Sequence, residues 1–416
     1  MDKLSYEIFS LLESKFLFGA GGCLSGPGTP ARAAFLDGGG VRVLSVDGCG
    51  AGAEDALLAA ATLARLEAGL REQSGDPDAR VAEFFDLAAG AGAGGVLAAM
   101  LFLRGADGRP RYSAAEALAF VAASVGKKKD WAGGRGGGDR SLRRVFGDAT
   151  LRDTVAPLLV PCYDLATAAP FMFSRADAVE SDSYDFRLRD VCAATCAAGA
   201  AAPLVVRSVD GATAIAAASA GVAGMGNPAA AAVTHVLHNK QEFPLAAAVD
   251  DVILLSIGAG SRTPMPTRSP SPRELARVTA EGVADMVDES VAMAFGHACG
   301  SNYVRIQAGK APSTPVHADT ATAAAGAMLA QRNVESVLFR GRRLSERTNA
   351  EKVDALAAEL VKEQERRRRS PLPNVAIKHV AAPSPRLSSA TTVSSVTTTP
   401  RTASTMPSPA SFHSRR

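Results

Sequence analysis

Apolar positions recur along this chain with two periods, and the handovers between them mark its architecture. Leu4, Ile8, Leu11, Leu12 and Phe16 are spaced for a helix over 4–17, and a Gly- and Pro-rich loop follows to about residue 40. Residues 42–46 alternate like a strand, and a helical pattern runs from Ala53 to Leu70 through Leu57, Leu58, Leu63 and Leu66. A second strand–helix unit spans 84–104. Ser113 and Glu116 form a capping-box pattern that opens a helix over 113–125. Residues 126–144, with Lys127 to Lys129, Trp131, Arg140, Arg143 and Arg144, read as a surface insertion. Strands are expected at 157–164 and 170–175 and a helix at 186–198. Two β-rich runs, 203–209 and 213–216, flank Asp210-Gly211, a hairpin signal. Asn227-Pro228 opens a helix, 252–256 is a buried strand, and helices at 272–293 and 347–366 bracket a short strand at 303–307. Two strand–helix units in series predict an α/β fold with a mostly parallel sheet and right-handed crossovers.

Composition narrows this picture. The chain has 416 residues, 47% hydrophobic and 21% charged, enough for a sizeable core. Only 5% is aromatic, so close packing of Ala and Gly is expected. No apolar run is as long as a membrane span. The start, Met1-Asp2-Lys3, lacks a signal-peptide pattern, and the six cysteines show no framework spacing, so an intracellular protein is expected. The net charge of +3 hides an asymmetry. Residues 366–416 hold nine Lys/Arg and no Asp or Glu, leaving 36 basic against 42 acidic residues over 1–365, a net of −6. From Ser370 the chain is Ser/Thr/Pro-rich and aperiodic, which reads as a disordered tail.

The candidate chemistry gathers at two turns. Strand 42–46 runs into Asp47-Gly48-Cys49-Gly50-Ala51-Gly52, whose backbone N–H groups can face an anion or a developing oxyanion above the sheet. At 84–97 a strand ends in Gly90-Ala91-Gly92-Ala93-Gly94-Gly95 and a helix starts at once. That is the layout of a nucleophile elbow, in which G-x-S-x-G holds a serine at a sharp strand-to-helix turn. Here the central residue is Gly92, which has no side chain. The glycines of 37–42 precede a strand, the wrong context for an anion loop. A dinucleotide fold would want an acidic residue ending the strand at 84–89, and Gly90 stands there. Cys192, Cys196, His235 and His238 are a weak metal set, because His-x-x-His is short of the usual spacing.

Taken together, these segments resemble the patatin-like phospholipases, specifically a plant group with a degenerate elbow. The resemblance rests on 44–50, 84–95, 159–165, 170–175, Asn227-Pro228 leading into 233–240, and 303–307, and covers about residues 1–365. It implies a three-layer α/β fold with a glycine oxyanion loop at Gly48, Cys49 and Gly50. It also implies acyl hydrolysis of phospholipids and galactolipids by a Ser–Asp dyad, without metal or cofactor. The elbow glycines are Gly90, Gly94 and Gly95. On this resemblance the nucleophile position is Gly92, a substitution that plant relatives share, some of them with attributed activity. The dyad aspartate, eight residues before Pro228, is Ala220. Asp210 matches a hairpin Asp-Gly instead. The oxyanion loop has Cys49 where three glycines are usual. The expected organisation is an N-terminal helix and loop (1–40), a core domain (41–260), a helical extension of the same fold (261–369) and a basic tail (370–416). The expected partners are membrane lipids, with the basic tail and the 127–144 insertion available to an anionic surface. No nucleic-acid partner is expected. The function expected is weak or absent lipid acyl hydrolysis, the alternative being a non-catalytic lipid-binding or regulatory role. Cys49, Asp210 and Ser219 are the residues to consider as substitutes for a lost group.

Overall fold

A computed structural model describes residues 40–48, 53–126, 138–197, 204–221, 224–260, 269, 271–296, 299–309, 316–337, 341–370 and 375–377. The strands are β1 (Val41–Val46), β2 (Leu87–Gly90), β3 (Leu158–Asp164), β4 (Ala169–Ser174), β5 (Leu204–Arg207), β6 (Ala214–Ala218), β7 (Val252–Ile257) and β8 (Tyr303–Ile306). They form one sheet in the order β5-β6-β3-β2-β1-β7-β8, with β4 also paired to β3. The pairs β1–β2, β1–β7, β2–β3 and β7–β8 are parallel, and β4, β5 and β6 add antiparallel partners at one side.

Alternation along the strands sorts their side chains into two cores. Leu44, Val46, Ala88, Leu158, Val160, Leu255 and Ile257 join one, and Val41, Val43, Leu87, Ala89, Leu159, Val252 and Leu254 the other. Helices α1 (Leu57–Ser74), α2 (Gly92–Phe102), α3 (Ala114–Ser124), α4 (Gly138–Phe146), α5 (Arg175–Glu180) and α6 (Leu188–Thr195) come before the hairpin β5–β6. Of these, α1, α2, α3 and α6 cover the first face. Helices α7 (Ala229–His238) and α8 (Pro272–Phe295) cover the second with Ala229, Ala232, Val236, Val291 and Phe295. The result is a sheet between two helical layers. As expected, Ser113 accepts from the Glu116 N–H and caps α3, and β5 and β6 make the antiparallel hairpin around Asp210-Gly211.

Several sequence expectations need correcting. The strand at 84 starts later, because residues 81–84 form a 3-10 turn and β2 begins at Leu87. The charged insertion ends earlier: α4 buries Leu142, Val145 and Phe146, while 127–137 lies outside the described residues. Helix α9 (Ala321–Ala330) and the antiparallel hairpin β9 (Arg332–Val337) and β10 (Gly341–Thr348) were not foreseen. The helix expected at 4–17 and the loop after it to residue 39 lie outside the described residues, as does most of the tail. Residues 375–377 do not belong to a free tail, since the Ala376 N–H donates to the Glu242 carbonyl at 2.8 Å and Ile377 packs on the core.

The basic run at 366–369 ends α10 (Asn349–Arg369), and part of it is used inside the protein. Arg367 reaches across to the start of β1 and grips Asp86 through two hydrogen bonds of 2.7 and 2.6 Å, and it also donates to the Gly40 carbonyl. Arg42, from β1, holds the same carboxylate through its N–H at 2.7 Å and its guanidinium at 3.4 Å. Arg366 pairs with Glu363 at 2.5 Å. These two arginines are therefore not a free basic surface.

Candidate active site

The elbow is present as a shape. Strand β2 ends at Gly90, Ala91 makes the turn, and α2 starts at Gly92 with every residue to Phe102 buried. Gly92 has φ +50°, the left-handed region that an L side chain enters only at a cost. The Ala91 N–H donates to the Val46 carbonyl at 3.0 Å, which ties the turn to the end of β1. The approach is so close that a Cβ on Gly94 would stand 2.5 Å from the carbonyl oxygens of both Asp47 and Val46. A Cβ on Gly48 would overlap the Ala91 carbonyl oxygen. Gly90 and Gly95 pack backbone to backbone across the turn.

Residues distant in sequence meet at this turn. The Gly92 N–H donates to the Thr195 hydroxyl oxygen at 2.9 Å, at the end of α6. The Ala220 N–H donates to the Thr195 carbonyl at 3.2 Å. Gly92 and Ala220 are thus joined through one buried residue. From Ala220 the chain passes Gly226, whose carbonyl accepts from the Gly48 N–H at 2.9 Å. Gly48 is therefore not an available oxyanion donor, and its amide instead fastens the 220–227 segment to the end of β1. Cys49 and Gly50 lie outside the described residues. Asn227 closes the circuit: its side-chain oxygen accepts from the Ala229 N–H at 3.0 Å, and its amide donates to the Ala284 carbonyl of α8 at 3.2 Å.

The proposed substitutes fare differently. Asp210 sits in the hairpin turn, where its carboxylate accepts from Ser208 at 2.6 Å, Ser183 at 2.8 Å and the Ala212 N–H at 3.0 Å. Those donors hold it below the usual carboxylate range, and its carboxylate shapes the hairpin turn. Ser219 is buried and its N–H donates to the Ala197 carbonyl at 2.9 Å. Cys192 is buried on α6, where desolvation pushes its thiol well above the ordinary value. Among the described residues, no three His, Cys, Asp or Glu side chains come together as a metal site.

A buried charge cluster at the end of β1 carries no signal in the sequence. Asp47 pairs with Arg305 of β8 at 2.5 Å. Arg305 also donates to the Ser256 hydroxyl at 2.7 Å and lies 3.8 Å from Asp288 of α8, which accepts from the Tyr303 hydroxyl. Gly258 leaves the room: a Cβ there would meet the Gln307 side chain and come 3.2 Å from the Arg305 guanidinium. Burial pushes Asp47 up to about 6 against the pull of Arg305. Asp47 stood next to the loop glycines, but its partner lies 258 residues away, so no local spacing marks the pair. Thr195 was equally invisible, a single residue at the end of an ordinary helix.

The elbow thus rises from a parallel sheet and carries no side chain at its centre. A family model described as patatin-like phospholipase matches residues 35–232. Patatin-like protein 3 of rice (Oryza sativa subsp. indica) is 55% identical over 386 residues, which is 88% of this chain and 92% of its own. The chain belongs to the patatin-like phospholipase family. Patatin-like protein 7 of Arabidopsis thaliana is 43% identical, covering 91% of this chain and 84% of its own. Another Arabidopsis relative, 38% identical over 87% of this chain and 93% of its own, is called probable inactive patatin-like protein 9. The family match spans β1, β2 and the Gly90–Gly95 turn, and the family acts on lipids.

Proposed function

We propose that this protein engages acyl esters of phospholipids and galactolipids at the patatin elbow and hydrolyses them weakly or not at all. The observation that carries this reading is Gly92 at φ +50° on the turn, joined through Thr195 to Ala220. With no side-chain atom at 92, no acyl-enzyme can form there. A methyl group at 220 takes no proton. Removing such a dyad costs several orders of magnitude, and what persists is the contribution of backbone donors and binding. A non-catalytic lipid-binding or regulatory role is the second reading. It is favoured by the Gly48 amide being given to Gly226, which takes one donor from the loop.

The test is fatty-acid release from mixed phospholipid and galactolipid vesicles by the purified protein, beside Gly92→Ser/Ala220→Asp and the single Gly92→Ser. Circular dichroism and melting temperature establish that each variant folds. A nearly silent native protein and a hydrolysing double variant are expected. Release by the native protein at the double variant's rate, or release that survives Thr195→Val but is lost on Cys49→Ala, would place the chemistry elsewhere and sink the proposal.

A further inference from the structure

The arginine run that ends α10 stops at a serine. Arg366, Arg367, Arg368 and Arg369 stand directly before Ser370. A serine behind consecutive arginines carries the kind of charge pattern by which protein kinases select substrates. Ser370 has already left the helix: its backbone is extended, at φ −74° and ψ 133°, and its N–H donates to the Arg367 carbonyl at 3.1 Å. Arg368 and Arg369 are exposed and Ser370 is half-buried. Positions three and four residues apart share a helix face. A group added at Ser370 therefore comes to stand beside Arg367 and Arg366, the two arginines that the fold uses.

That face carries the clasp on Asp86. Arg367 grips the carboxylate through two hydrogen bonds, but Arg42 holds it as well, through its N–H at 2.7 Å and its guanidinium at 3.4 Å. The clasp can open without leaving a bare buried charge, which a sole partner would not allow. Arg367 is also incompletely used: its Nε is buried, makes no hydrogen bond and lies 3.5 Å from Glu363, the carboxylate that Arg366 pairs with. A phosphate on Ser370 brings about two negative charges and three acceptor oxygens to these guanidiniums. It also places an anion at the C-terminal end of α10, where the macrodipole disfavours it. The first effect offers Arg366 and Arg367 another partner, and the second loosens the turn that carries them. Four residues after Ser370 comes a strap pinned to the body: Val375 packs on one core, Ile377 on the other, and the Ala376 N–H donates to the Glu242 carbonyl at 2.8 Å.

We propose that Ser370 is a phosphorylation site, at which a phosphate takes Arg367 from Asp86 and releases the strap at 375–377. In the step, the Ser370 hydroxyl oxygen bonds to the γ-phosphorus of ATP and the bond from that phosphorus to the β–γ bridging oxygen breaks. ADP leaves, and the hydroxyl proton passes to the kinase. Nothing in this depends on what the elbow does to lipids, so a failed switch and a failed lipid reading are told apart. The full-length chain and Ser370→Ala are incubated with ATP and a kinase that requires arginines two and three residues before its serine, and phosphopeptides are mapped by mass spectrometry. Phosphate at Ser370 in the native chain is expected. The chain carrying phosphoserine at 370, introduced during synthesis, is then compared with the unmodified chain by amide hydrogen exchange and urea unfolding, each also in an Arg367→Met background. Phosphoserine should speed exchange over 366–370 and 375–377 by about tenfold or more and leave the elbow helix α2 unchanged. It should lower the urea midpoint towards that of Arg367→Met, and should add little in that background. Absence of phosphate at Ser370, or exchange and midpoint identical with and without phosphoserine, would overturn the switch. So would an equal effect of phosphoserine in Arg367→Met, because the phosphate would then act on something other than the clasp.

Discussion

Removing the guanidinium of Arg367 should loosen the end of the protein opposite the elbow. Asp86 is buried and accepts from Arg367 and Arg42 together, which joins the last turn of α10 to the segment between α1 and β2. Taking away the only partner of a buried charge costs about 3–5 kcal/mol. In Arg367→Met, Asp86 keeps the Arg42 N–H and guanidinium, so the expected loss is about 2–3 kcal/mol. Urea unfolding followed by circular dichroism measures it. Asp86→Asn and the double variant complete a cycle whose coupling should account for most of the single loss. Truncation after His379 should cost nothing measurable, whereas truncation before Arg367 should cost more than Arg367→Met, because it also removes Ala376 and Ile377. Acid adds a second signature. Burial alone would raise Asp86, but Arg42 and Arg367 outweigh it and hold the carboxyl below the usual range. A carboxylate lowered in the folded state stabilises the protein above its unfolded pKa, and that stability is lost as pH falls through the folded value. The native chain should therefore lose stability below about pH 4 more steeply than Asp86→Asn. A loss under about 1 kcal/mol for Arg367→Met, or identical acid limbs, would refute the clasp.

Two further substitutions probe the elbow. Gly94→Ala drives a methyl group into the Asp47 and Val46 carbonyl oxygens and should cost about 2–3 kcal/mol in thermal or urea unfolding, because backbone and not a flexible side chain has to move. Thr195→Val should cost about 1–3 kcal/mol by leaving the buried Gly92 N–H without its acceptor, and Thr195→Ser should recover most of it.

What was legible in the chain was local. The period switches at 42–46 and 53–70, the capping box at Ser113 and the Asp210-Gly211 hairpin each carry their cause within a few residues, and β1, α1, α3 and β5–β6 appear close to where they were expected. The glycine turn at Gly90–Gly95 could also be read, since a strand passing directly into a helix needs residues without Cβ atoms. The hairpin β9–β10 escaped because β10 is almost wholly exposed and shows no apolar alternation. Helix α4 was hidden among arginines, its buried face being only Leu142, Val145 and Phe146. At the site, the resemblance only proposes Gly92 and Ala220, and Thr195, which joins them, and Arg305, which meets Asp47, required the sheet order to bring β8 and α6 alongside. The arginine run at 366–369 misled for the same reason: a helix end that looks solvated in sequence finds a carboxylate 281 residues away.

The backbone angle at Gly92 also bears on how this protein can change. A serine at φ +50° carries a conformational cost of about 1–2 kcal/mol that glycine does not. An enzyme with the intact elbow tolerates that cost because selection for turnover holds the serine in place. Where selection for turnover is relaxed, a glycine at this position removes that cost. On the function proposed above the change behaves as a ratchet: a serine at 92 loses stability before it returns any rate, and it finds alanine at 220. A lineage that has passed this point keeps the architecture of a hydrolase and is free to be selected for what that architecture binds.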